Sequence, residues 1–232
     1  MRDTTLNTIA IVVFLTTMAS LLGPLVNLSP AWVAGCAATG LGLFTLDQLN
    51  LQGRLGHILT DALAWLSPEH RQRVLHHEAG HFLAAVLLEI PVEAYTLTTW
   101  EAWKRGLPGQ GGVVFGHPEA QTLPVPCWTP QTLDRYAQVW MAGIAAEHLI
   151  YGNAWGGDRD TQTVSQLWQG LGLSPQQASM KQRWAALQAK TLLENHRAAY
   201  DALVTTMEQR ASVAVCRQVI QQHSPEPLAL GQ

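Results

Sequence analysis

The sequence predicts a mainly α-helical fold with a small β-hairpin or sheet, preceded by an N-terminal transmembrane helical hairpin. Three observations predict it. Charged residues make up only 13% of the chain, and the stretch between Asp3 and Asp47 has none. Beyond that stretch, apolar residues recur at helical spacing behind the helix starts Ser67-Pro68, Thr129-Pro130 and Ser174-Pro175. Two short runs rich in β-branched and aromatic residues, 92–100 and 111–116, are separated by glycines and a proline, as in a hairpin.

Residues 1–49 form the expected anchor. The run 9–28 has only Thr16, Thr17, Ser20 and Asn27 as polar members. At ~1.5 Å per helical residue it reaches roughly 30 Å, the depth of a bilayer's hydrocarbon. Asn27, Ser29 and Pro30 mark a tight turn. A shorter, glycine-rich run over 31–46 then returns, and its small residues let two helices approach closely. Arg2 precedes the pair while Arg54, Arg71 and Arg73 follow it, so both ends lie on the cytoplasmic side of the membrane, or the stromal one. The length of the first run, and Asp3 beside Arg2, argue against a cleaved signal peptide.

Residues 50–68 read as an amphipathic connector, with Leu51, Leu55, Ile58, Leu59, Ala62 and Leu66 near helical spacing. Residues 69–223 are the expected second domain. Its first helix takes Ser67 as N-cap, Pro68 as first residue and Glu69 in the first turn, and it runs to about Leu88, ahead of Pro91. A proline-rich loop over 117–130 leads to a helix over 131–151, closed by Gly152. A short helix over 161–170 and a long α-hairpin from Ser174 to about His223 complete it, and 224–232 is a loose tail. Trp100, Trp103 and Trp128 read as packing residues. Fourteen basic residues, scattered along a chain of net charge −3, leave no footprint for nucleic acid. Cys36, Cys127 and Cys216 are odd in number and far apart, so they form no disulfide framework.

One pattern carries chemistry. In His77-Glu78-Ala79-Gly80-His81 the two histidines stand four apart on a capped helix, so both imidazoles can face one Zn²⁺. Glu78, one step round, is placed to take a proton from a water at that ion, whose charge lowers the water's pKa towards ~7. Gly80 leaves room for close approach. His76 points off the metal face. A catalytic zinc needs a third protein ligand, and the glycine-flanked turn Gly156-Gly157-Asp158-Arg159-Asp160 is the best source. Spacing does not separate Asp158 from Asp160, and Glu147 is a further candidate that can instead orient a histidine.

His77 to His81, then Ala142-Gly143-Ile144-Ala145-Ala146-Glu147, then Gly152 and Gly156 to Asp160, resemble in order the peptidase domain of FtsH-type membrane zinc proteases. The resemblance covers about Leu75 to His223 and includes Asn195-His196-Arg197 in the last α-hairpin. It implies that Asp160 is the third zinc ligand. Ile144 replaces the family's arginine and Gly157 its usual alanine, and neither change removes a ligand. The family's ATPase module has no counterpart, because no G-x-x-x-x-G-K-[ST] loop occurs in the chain. The chain therefore looks like the stand-alone, ATPase-lacking form of the family.

Together these readings predict a membrane-anchored, ATP-independent zinc metallopeptidase. Its expected metal ligands are His77, His81 and Asp160, and its expected catalytic residue is Glu78. The expected partners are a protein or peptide substrate and the membrane, with no ATP and no nucleic acid, and either a homo-oligomer or a complex with FtsH-type proteases. The other reading is a non-catalytic or weakly active partner of an ATPase-bearing relative. The short apolar run after His81, and Arg71 and Arg73 before it, argue against a site buried in lipid.

Overall fold

The computed structural model describes residues 2–50, 67–106, 112–116 and 128–224, and the chain divides into two units between Leu63 and Ala64. The fold is mainly helical, with one two-stranded antiparallel sheet.

In the first unit α1 spans Arg2–Leu22, a 3₁₀ turn spans Gly23–Val26 and α2 spans Pro30–Asn50. The run expected as one helix over 9–28 is cut at Leu22, because Pro24 has no N–H to continue the helical ladder. Asn27 closes the turn in the left-handed region at φ 60°, and Leu28 N–H donates to Gly23 O at 2.8 Å. Among the described residues no helix is long and apolar enough to cross a membrane. Residues 2–50 thus form two helices and a turn, with the first apolar run divided between α1 and the turn, and the membrane-spanning length expected of these helices is not met. Ile11, Val12, Val13, Phe14 and Leu15 are each more than half exposed. Five consecutive helical residues point all round the axis, so among the described residues this segment is exposed on every side.

The second unit starts with α3, Pro68–Leu87, where Ser67 Oγ accepts from His70 N–H and Pro68 opens the helix. Ile90 N–H returns to Ala85 O at 2.8 Å across Glu89, which has φ 58°. Strand β1, Val92–Thr96, pairs antiparallel with β2, Gly112–Phe115, in the register Tyr95↔Val113 and Thr96↔Gly112. The first strand ends before Trp100, because Thr98 caps a short helix α4, Thr99–Lys104. There the Trp100 and Trp103 rings meet at a tilt of 36° with centres 4.9 Å apart and stay half exposed, whereas Trp128 is buried. Packing, the expectation for all three, describes Trp128 alone.

Helix α5, Pro130–Tyr151, lies between the Thr129 cap and Gly152, which takes the left-handed cap at φ 75°. Helix α6, Asp158–Gly170, begins three residues earlier than the sequence suggested. Its N-cap is Gly157, which offers no side chain to advertise the start. The expected long α-hairpin is three helices: α7, Pro175–Asn195; α8, Arg197–Glu208; and α9, Val213–His223. The breaks fall at His196 and around Arg210 at φ 58°, neither of which is a proline or glycine. Most of the expected connector, 51–66, and the tail beyond Ser224 lie outside the described residues.

The core of this unit forms where α3, α5, α7 and α8 meet, around Phe82, Leu83, Val139, Leu193, Tyr200 and Leu203. Small residues bring α3 and α5 together. A Cβ on Gly80 would stand 2.5 Å from Ala142 O and 2.7 Å from Ala146 Cβ. This close pairing of α3 with α5 decides where the histidines of α3 point.

Candidate metal centre

His77 and His81 are buried on one face of α3, with ring centres 4.7 Å apart. Each ring is fixed through Nδ1 by α5. His81 Nδ1 lies 2.7 Å from Val139 O, and a carbonyl only accepts, so Nδ1 carries the hydrogen there. His77 Nδ1 lies 2.8 Å from Glu147 Oε1. Both Nε2 atoms are thereby aimed at the start of α6, where Asp160 Oδ2 is 3.2 Å from His77 Nε2 and 3.6 Å from His81 Nε2. All three ligand atoms lie within 4.8 Å of one another.

These three side chains could hold a metal ion, and two observations bear on zinc. In a tetrahedral site with bonds of about 2.0–2.1 Å, ligand atoms stand roughly 3.3 Å apart, and the two histidine–aspartate distances bracket that value. Gly143 of α5 lies against the same space, where a Cβ would be 2.5 Å from His77 Nε2 and 2.6 Å from His81 Nε2. Any larger residue would fill the space in front of the nitrogens.

The charges answer each other. Burial by itself would lower the pKa of His77, but hydrogen bonds to Asp160 and Glu147 overcome it and raise the value to about 10. The two carboxylates on either side of His77 thus favour its protonated ring. Burial would raise the Asp160 carboxyl, yet His81 and His77 hold it well below the usual carboxylate range. Glu147 is also lowered: burial opposes this, but His77 and the backbone N–H groups of Trp155 and Gly156 prevail. Those N–H groups reach its two oxygens at 2.8 and 3.2 Å. Glu147 therefore holds a histidine on one side and the turn before α6 on the other, and it is not among the three converging groups. Asp158 is exposed and does not join them either.

Glu78 lies beside the cluster, where burial raises its pKa against the opposing pull of His81 and His77. Its Oε2 accepts from Val113 N–H of β2 at 3.0 Å. No protein-family model matches the chain, and no curated protein does. The chemistry of the site is therefore read from these side chains.

His76 turns away, as its position on the helix suggested. Its Nδ1 meets Tyr200 OH at 2.9 Å, tying α3 to α8. Arg197, part of the Asn195-His196-Arg197 stretch, pairs with Asp201 at 2.9 Å. Sequence reasoning did not single out Val139, Val113 or Arg73 for this site. Val139 and Val113 act through backbone atoms, which no side chain announces. Arg73 lies one helical turn before His77, and that spacing was its only signal.

Proposed function

We propose that the chain is a zinc metallopeptidase that hydrolyses peptide bonds without ATP and is held at a membrane by its first fifty residues. One observation carries the catalytic part: two imidazoles with their Nδ1 atoms already engaged turn their Nε2 atoms on one aspartate, beside a half-buried glutamate. The FtsH-type order of the motifs supports the same reading.

Zinc, when held by His77, His81 and Asp160, supplies Lewis-acid polarisation of a carbonyl and acidifies a water molecule. Glu78 would be the base that takes up a water proton as the water oxygen bonds to the peptide carbonyl carbon. The raised pKa of Glu78 suits this role, since the carboxylate accepts the proton and later gives it up. It passes the proton to the departing amide nitrogen as the C–N bond breaks, leaving a carboxylic acid and an amine. Glu147 and Val139 keep both imidazoles in register throughout.

Support for the membrane part is the charge-free run between Asp3 and Asp47 and the all-round exposure of Ile11 to Leu15. The proposed partners are peptide or protein substrates near that membrane.

The test is metal content and peptide hydrolysis by the purified full-length protein, beside Glu78→Gln. The expected result is one zinc per chain in both proteins, with the variant slower by about 10²–10⁴-fold. Zinc-loaded protein whose hydrolysis ignores the substitution would refute the peptidase reading. Zinc uptake without turnover, together with co-purification of a large ATPase, would favour the non-catalytic partner instead.

A further inference from the structure

The stripe carrying both imidazoles begins one turn earlier with a cation. Arg73, His77 and His81 follow at four-residue intervals along α3, which puts them on one face. The Arg73 side chain is only 8% exposed, a placement that arginine adopts with partners around it. Its Nη1 lies 3.0 Å from Asn153 Oδ1, 3.3 Å from Asn153 O and 3.6 Å from Glu147 Oε2. The guanidinium carbon stands 4.3 Å from the centre of the Tyr151 ring and 3.8 Å from that of Trp155. On its outer side Nε faces Glu69 at 3.4 Å.

Apart from Glu69, these partners belong to the end of α5 and the turn that follows it. The same turn gives Glu147 its two backbone hydrogen bonds and leads into the helix bearing Asp160. We propose that Arg73 is a positioning residue for the metal: it clamps Glu147 and the 151–156 turn together, and so fixes both His77 and Asp160. This rests on reading the three converging side chains as a metal centre.

The sign of the effect separates this role from plain electrostatics. A nearby guanidinium repels a cation, so loss of its charge alone would tighten zinc binding. Loss of the clamp weakens it. Lysine keeps the charge next to Glu147 but lacks the fork that reaches Asn153 and the plane that stacks on the two rings.

The experiment is zinc affinity of the full-length protein by competition with a chelator, in wild type, Arg73→Met, Arg73→Lys and Trp155→Leu. Arg73→Met is expected to bind zinc at least roughly tenfold more weakly, the range for groups that orient ligands. Arg73→Lys is expected to recover part of the loss. In cobalt-loaded protein, the visible absorption of Arg73→Met is expected to shift as the His77 ligand loses its orientation. Unchanged or tighter zinc binding by Arg73→Met would overturn the proposal. Should that variant fail to fold, Trp155→Leu carries the test at a half-exposed position: weaker binding supports the clamp, and wild-type affinity removes it. A wild-type protein that takes up no zinc would instead bring down the metal reading itself.

Discussion

Each imidazole of the site has one nitrogen assigned to the protein, and this decides what the other can do. Val139 O and the Glu147 carboxylate take the Nδ1 hydrogens, which leaves Nε2 as the atom each ring could offer to a metal. Replacing Glu147 by glutamine is expected to weaken zinc binding by about 10–100-fold, measured by chelator competition. The His77 shift makes a second prediction. With the folded-state value near 10 and the unfolded one near 6.5, metal-stripped protein carries this stabilisation fully below pH 6.5 and loses it as pH rises towards 10. Asp160 acts in the opposite sense, its contribution being present above its ordinary value and lost in acid. Melting temperature of the metal-stripped protein is therefore expected to fall between pH 6.5 and 10, and zinc, which replaces the His77 proton, should remove that fall. A flat profile for the stripped protein would contradict the assignment. At this scale the sequence exposed what side chains announce. His77, Glu78 and His81 stood out by spacing, and Asp160 only by resemblance, since Asp158 is an equal carboxylate two residues away. The difference between the two aspartates is made by helix geometry, because α6 starts at Asp158 and turns its third residue inward.

Among the elements, the pair α3 and α5 sets the site, and two glycines set the pair. Gly143→Ala is expected to keep the helix, for which alanine is the better former, while its Cβ stands against both Nε2 atoms and abolishes zinc uptake. Normal zinc content in that variant would show the geometry to be wrong. Gly80→Ala pushes instead on Ala142 and Ala146 across the interface, and is expected to cost about 1–3 kcal/mol of stability by overpacking, read from urea unfolding. Helix starts were the most legible elements, since Ser67, Thr129 and Ser174 each accept the expected backbone N–H, and Ser174 with Gln177 completes a capping box. The illegible boundaries share a cause. The start of α6 is capped by Gly157, which has no capping side chain, and the breaks at His196 and Arg210 fall at residues that are neither proline nor glycine.

For the molecule as a whole, the two units ask different things of their surroundings. The second buries its own core, while the first leaves Ile11 to Leu15 uncovered. The chain is expected to stay with the membrane fraction after alkaline carbonate washing, and its release into the supernatant would remove the anchoring proposal. The charge-free stretch was plain from the sequence, but its division at Pro24 was not, because hydropathy passes over a proline that the backbone does not. The order of the three converging groups along the chain has a consequence of its own. A ribosome completes His77 and His81 well before it reaches Asp160, and the third group arrives only when α6 has packed against α5 and α7. On the proposed reading, tight capture of an ion would be coupled to completed folding. A chain that has not yet folded this far would then lack the complete site, and the proposed hydrolysis would stay latent until it had.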